Sequence, residues 1–142
     1  MNLKYQNEIN KYVSLGAELP ALHLIVIKES FRYVFADEIQ KNHIPPHKLH
    51  PNRLNQQIKS GRVDISGFAL SNLETEKQAI AFYNYLKKNC RNIRKQIGDS
   101  LSHGILTQND GLISDTDTNG HFDLYESDNC DLSQTFTIFK SL

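Results

Sequence analysis

Apolar residues recur at Ala79, Phe82, Leu86, Cys90, Ile93 and Ile97, at spacings of three and four. That rhythm predicts an amphipathic helix with one buried face. Ser71-x-x-Glu74 has the form of a capping box and Gly98 stands where a helix stops, so the expected span is about residues 72–97. Glu74 and Glu76 open this stretch, and Lys87, Lys88, Arg91, Arg94 and Lys95 close it, an order that complements the helix dipole. Cys90 lies on the apolar stripe and reads as a small buried hydrophobe.

The remaining chain must cover that helix. From Gly104 onward the pattern changes to short strands at Ile105–Thr107, Leu112–Ser114, His121–Tyr125 and Thr135–Phe139. Turn signals at Asn109-Asp110-Gly111, Asn119-Gly120 and Asp128–Ser133 separate them, which predicts an antiparallel meander. Residues 3–15 read as a short helix with Tyr5, Ile9, Tyr12 and Val13 on one stripe, and residues 52–59 as another carrying Leu54 and Ile58. Val63, Ile65, Gly67 and Ala69 alternate with Arg62, Asp64, Ser66 and Phe68 as in a half-buried strand. Residues 20–40 fit either a helix or a hairpin of Leu22–Ile27 and Tyr33–Ala36, and their β-branched and aromatic density favours the strands. The expectation is a single α+β domain over residues 1–142, its antiparallel sheet packed on the long helix, with shorter helices N-terminal to it.

Residues Asp115-Thr-Asp117-Thr-Asn119-Gly120-His121-Phe-Asp123-Leu-Tyr-Glu126 match the pattern D-x-[DN]-x-[DN]-G-x5-E. This segment resembles the calcium loop of EF-hand proteins, and its first nine residues are similar to the turns of integrin-type propeller calcium sites. The resemblance implies calcium held by the side chains of Asp115, Asp117, Asn119, Asp123 and Glu126, with the carbonyl of His121 in the seventh position. It covers twelve residues, and Asn109-Asp110-Gly111 before it and Ser127–Asp131 after it are not helical flanks. A loop between two strands is therefore expected, and a polar hairpin tip without metal accounts for the same residues.

His43, His47 and His50 stand at spacings of four and three, but Pro45, Pro46 and Pro51 exclude a regular helix that would gather them on zinc. An extended connector is expected there. Zero net charge conceals a split: residues 1–98 hold 15 Lys+Arg against 8 Asp+Glu, and residues 99–142 hold one Lys against eight acidic residues. The halves can neutralise each other, or the basic part can meet a partner. Arg53, Lys59 and Arg62 with the five cations of the long helix form a nucleic-acid-binding candidate. Cys130, between Asp128 and Asp131, has its thiolate disfavoured.

No nucleophile elbow, Walker loop or dinucleotide fingerprint occurs, and an enzyme would need a site assembled from distant residues. The longest apolar run, Leu24–Ile27, is too short to span a membrane, and the first residues lack a signal-peptide core. These features lead to the expectation of a cytoplasmic, non-enzymatic binding or regulatory module that meets an unknown protein or a second copy of itself.

Overall fold

A computed structural model describes residues 2–142 of the protein. Helix α1 (Gln6–Ser14) is followed by strands β1 (His23–Leu24) and β2 (Ile27–Val34). Helices α2 (Pro46–Leu49) and α3 (Pro51–Ser60) lead through a 3-10 turn at Ile65–Phe68 to β3 (Leu70–Leu73). Helices α4 (Glu76–Asn89) and α5 (Ile93–Gln96) come next, then β4 (Ser100–Thr107), β5 (Gly111–Ile113) and β6 (His121–Glu126). The chain closes with α6 (Leu132–Thr135) and β7 (Thr137–Ser141). The α+β class expected from the sequence is the class observed.

All strand pairs are antiparallel, in the order β1-β5-β6-β3-β2-β4-β7. Among the C-terminal strands only β5 and β6 are neighbours in both sequence and sheet, so the meander is interrupted. Strands β1 and β2 are four places apart in the sheet yet separated by only Ile25 and Val26 in the chain. The sheet must therefore curl until its β1 end returns to β2. Ile25 accordingly packs with Leu70, Leu106, Phe122 and Leu124 on the concave face, where Cys130, Leu132 and Phe136 complete the cluster. The opposite face carries Phe31, Leu73 and Leu101 against Ala79 of α4. A third cluster joins Ile9 and Tyr12 of α1 to Ile65, Phe68 and Tyr125.

The long helix is shorter than its periodicity suggests. Leu70–Leu73 is drawn into the sheet beside β6, with Leu70 opposite Leu124 and Leu73 opposite His121. The cap is Thr75, whose hydroxyl accepts from the Gln78 N–H at 3.1 Å, not Ser71. Capping chemistry thus occurs twice in five residues, and strand pairing selects the second. At the far end Cys90 is extended and exposed rather than buried, and Asn92 sits in the left-handed region at φ +58° before α5 begins.

Three further local expectations are corrected. Strand β2 runs straight through Lys28–Ser30, because each of its residues has a partner in β4, from Ile27–Thr107 to Val34–Ser100. The alternation at residues 63–69 is a 3-10 turn, opened by the Asp64 carboxylate accepting the Ser66 N–H at 2.9 Å. The connector at residues 43–51 holds two helix starts, with Pro46 and Pro51 in the first turn where their missing N–H costs nothing. The helices at 6–14 and 51–60 stand close to where they are expected.

A basic cavity as the candidate functional site

The calcium-like segment folds as the β5–β6 hairpin loop and its exit strand. Asp115 is exposed and turns to Nε2 of His23 at 2.7 Å. One carboxylate oxygen of Asp117 accepts the N–H groups of Asn119 and His121 at 2.8 and 3.0 Å, closing the turn from within. The His121 carbonyl accepts the Asp117 N–H at 2.9 Å. The His121 ring lies 3.9 Å from Asp117 and 3.6 Å from Asp123. Burial raises the Asp123 carboxyl above its ordinary value, with His121 opposing the rise. Asn119 is exposed at the tip.

Glu126 belongs elsewhere. It ends β6, five residues beyond His121, and a strand rises about 3.3 Å per residue, which puts it roughly 16 Å away. It is buried there, bonded to the Lys4 ammonium at 2.7 Å. The fold thus gathers Asp117, His121 and Asp123, with the Asn119 N–H bonded to Asp117, while Asp115 turns to His23 and Glu126 to Lys4. Among the described residues no set of three or more His, Cys, Asp or Glu side chains is arranged to hold a metal ion.

The histidine and lysine clusters are dispersed too. His47 is buried, its Nε2 2.7 Å from the Asp64 carbonyl and its ring edge-on to Phe68, away from His43. Lys59 and Arg62 are exposed near the end of α3, Lys87 and Lys88 end α4, and Arg91, Arg94 and Lys95 follow the break. The Arg94 guanidinium donates to the Leu142 carbonyl. These cations do not share one helical face.

A different site lies where β2 and β3 part. They are paired only at Phe31–Leu73. Beyond that point Arg32, on the concave face, enters the gap and donates through Nη1 to the carbonyl of Ser71. Its Nε donates to Nδ1 of His43 at 3.1 Å. The loop carrying His43 is fastened across the end of β2 by Asn42, which accepts the Phe35 N–H at 2.7 Å and donates to the Phe35 carbonyl at 3.0 Å. These two bonds mimic a strand ladder and hold His43 at φ +62°, a conformation non-glycine residues seldom adopt.

The gap opens into a cavity of about 230 Å³. Phe35, Leu73, Phe82, Leu86 and Ile97 supply much of its apolar wall, and the Tyr33 hydroxyl pins α4 beside it by donating to the Ala79 carbonyl at 2.7 Å. Its charged lining is one-sided. Arg32, Lys41 and Arg53 line it with His43, His50 and His121, and no Asp or Glu does.

Arg32 is 6% exposed and has no carboxylate within ion-pair distance among the described residues. Burial pushes its pKa down to about 10, with Glu126 opposing from a distance, so the guanidinium stays charged at neutral pH. Glu126 is also the direct partner of Lys4. Burial and then the adjacent Arg32 push His43 down to about 3, so it stays a neutral acceptor toward Arg32.

Arg32 and Asn42 belong to no sequence motif, and Ser71 stands in one only as the expected helix cap. The signal was a single cation inside Ser30-Phe31-Arg32-Tyr33-Val34, where its neighbours in β2 are apolar or small. No protein-family model, curated protein or solved structure matches this chain.

Proposed function

We propose that the protein is a binding module whose cavity takes a small organic anion, with Arg32 as the contact for its charge. The observation that carries this reading is a buried guanidinium with no carboxylate against it, in a wall that contains no acidic residue. Burying a charge without its counter-ion is costly, and an incoming anion removes that cost. Lys41 and Arg53 nearer the opening would raise the local concentration of anions. The apolar wall favours a ligand with a hydrophobic body over a bare inorganic ion.

Protonation favours binding over catalysis in this cavity. His43, at about 3, is a weak base at neutral pH, since an effective catalytic base titrates near the working pH. Burial raises the Tyr33 hydroxyl, which is already engaged with a backbone carbonyl.

Thermal melts with millimolar organic acids and with their neutral amides test the proposal. A ligand at a hundred times its dissociation constant adds about 2.7 kcal/mol to stability, a rise of several degrees for a chain of this size. The expected result is such a rise with an acid, none with the amide, and loss of the rise in Arg32→Met that still folds. Equal effects of acid and amide, or a rise that survives Arg32→Met, would overturn it.

A further inference from the structure

Resting on the anion-binding reading, we infer that the ligand is a monocarboxylate carried on a single ring or an aliphatic body of that size. Its carboxylate would lie flat against the unoccupied part of the Arg32 guanidinium, and its body between Phe82, Leu86 and Leu73.

Charge comes first. Arg32 is the one cation of the lining that is buried, whereas Lys41 is half-buried and Arg53 exposed. The deep end of the cavity thus carries a single positive charge. A monoanion neutralises it, while a phosphate dianion would leave one negative charge desolvated.

Geometry points the same way. A guanidinium has five N–H donors, and Arg32 uses one on His43 and one on Ser71. Nη2 has no acceptor among the described residues, and it is not among the fully sealed polar atoms without partners. A planar fork with free donors matches the two oxygens of a carboxylate. Phosphate sites favour glycine-rich loops whose backbone N–H groups converge, and no glycine lines this cavity.

Size sets the body. A cavity of about 150 Å³ accommodates benzene. At about 230 Å³ this one matches a ring and its acid group more closely than two fused rings.

Four probes separate the alternatives: benzoate, phenyl phosphate, 2-naphthoate and acetate, each titrated into ¹⁵N-labelled protein with the Arg32 Nε–H resonance followed. Benzoate is expected to shift that resonance and to bind at least tenfold more tightly than the other three. Leu86→Trp, which fills the apolar end, is expected to weaken benzoate at least tenfold while sparing the weak acetate contact. This variant leaves Arg32 in place, so the test does not depend on a substitution at the buried cation. If phenyl phosphate or naphthoate binds as tightly as benzoate and moves the Arg32 resonance, the ligand class is wrong and the anion site stands. If none of the four moves that resonance, the anion site falls with it.

Discussion

His43 combines a left-handed backbone, a half-buried ring and a bond from Arg32. Asparagine tolerates positive φ and also offers an oxygen acceptor, so His43→Asn preserves the first and last of these while removing the titration. The unfolded chain protonates this imidazole near its ordinary value of 6.5, and the folded chain only near 3. Stability from this group is therefore complete above about pH 6.5 and declines as the pH falls toward 3, because the unfolded state takes up the proton first. At 1.36 kcal/mol per pH unit, the decline is on the order of 4 kcal/mol. Urea unfolding between pH 7 and 3.5 is expected to show that fall in the parent and a flatter profile in His43→Asn. Parallel profiles would rule out a half-buried neutral imidazole. None of this was legible at residue scale in the sequence. His43 shows there only as one of three histidines among prolines, and its setting is made by Arg32, eleven positions earlier.

At the scale of elements, the interruption between α4 and α5 shapes one wall of the cavity. Gly98 then passes so close to β2 that a Cβ there would clash with the Val34 carbonyl. The Tyr83 hydroxyl donates to the Gly98 carbonyl at 2.8 Å, tying the helix to this turn. Asn92, at φ +58°, re-aims the chain after Cys90. A β-branched residue is disfavoured in that conformation, so Asn92→Val is expected to cost about 1–2 kcal/mol in denaturant unfolding, and Asn92→Gly to stay near the parent. Equal losses from both would mean that the side chain, not the backbone, matters there. The apolar recurrence over residues 79–97 predicted one continuous helix, and it could not register a left-handed residue in its midst. Asparagine is one of the few signals for such a break, and it is a common residue elsewhere.

Across the whole molecule, the N-terminal segment is fastened to the end of β6. Leu3 bridges to Ser127, the Lys4 N–H donates to the Glu126 carbonyl at 2.8 Å, and the Lys4 ammonium meets the buried Glu126 carboxylate. The other oxygen of that carboxylate is sealed without a partner. Removing the lysine would strand a buried charge, which typically costs about 3–5 kcal/mol. Lys4→Met should lower stability by that order in urea unfolding at pH 7, and Glu126→Gln in the same chain should recover part of the loss. A loss below about 1 kcal/mol would make the pair a surface contact in its energetics. The same pair removes Glu126 from the calcium-like loop to which its spacing assigned it.

The sequence by itself determined the α+β class, the helices expected at residues 3–15 and 52–59, and the strands expected at Leu112–Ser114 and His121–Tyr125 with the turns before them, while helix α6 stands where a turn and the start of a strand were expected. Those features follow from local period and from Asn, Asp and Gly at turn positions, which act over a few residues. Tertiary structure decided the rest. Leu70–Leu73 became a strand because β6 offered it a ladder, β2 ran straight because β4 paired its whole length, and Arg32 was buried because β2 and β3 part beside it. Lys4 and Glu126, 122 positions apart, meet where Leu3 bridges to Ser127 beyond the end of β6. Ladder partners and the desolvation of a charge are set by residues distant in the chain, so a local pattern does not carry them.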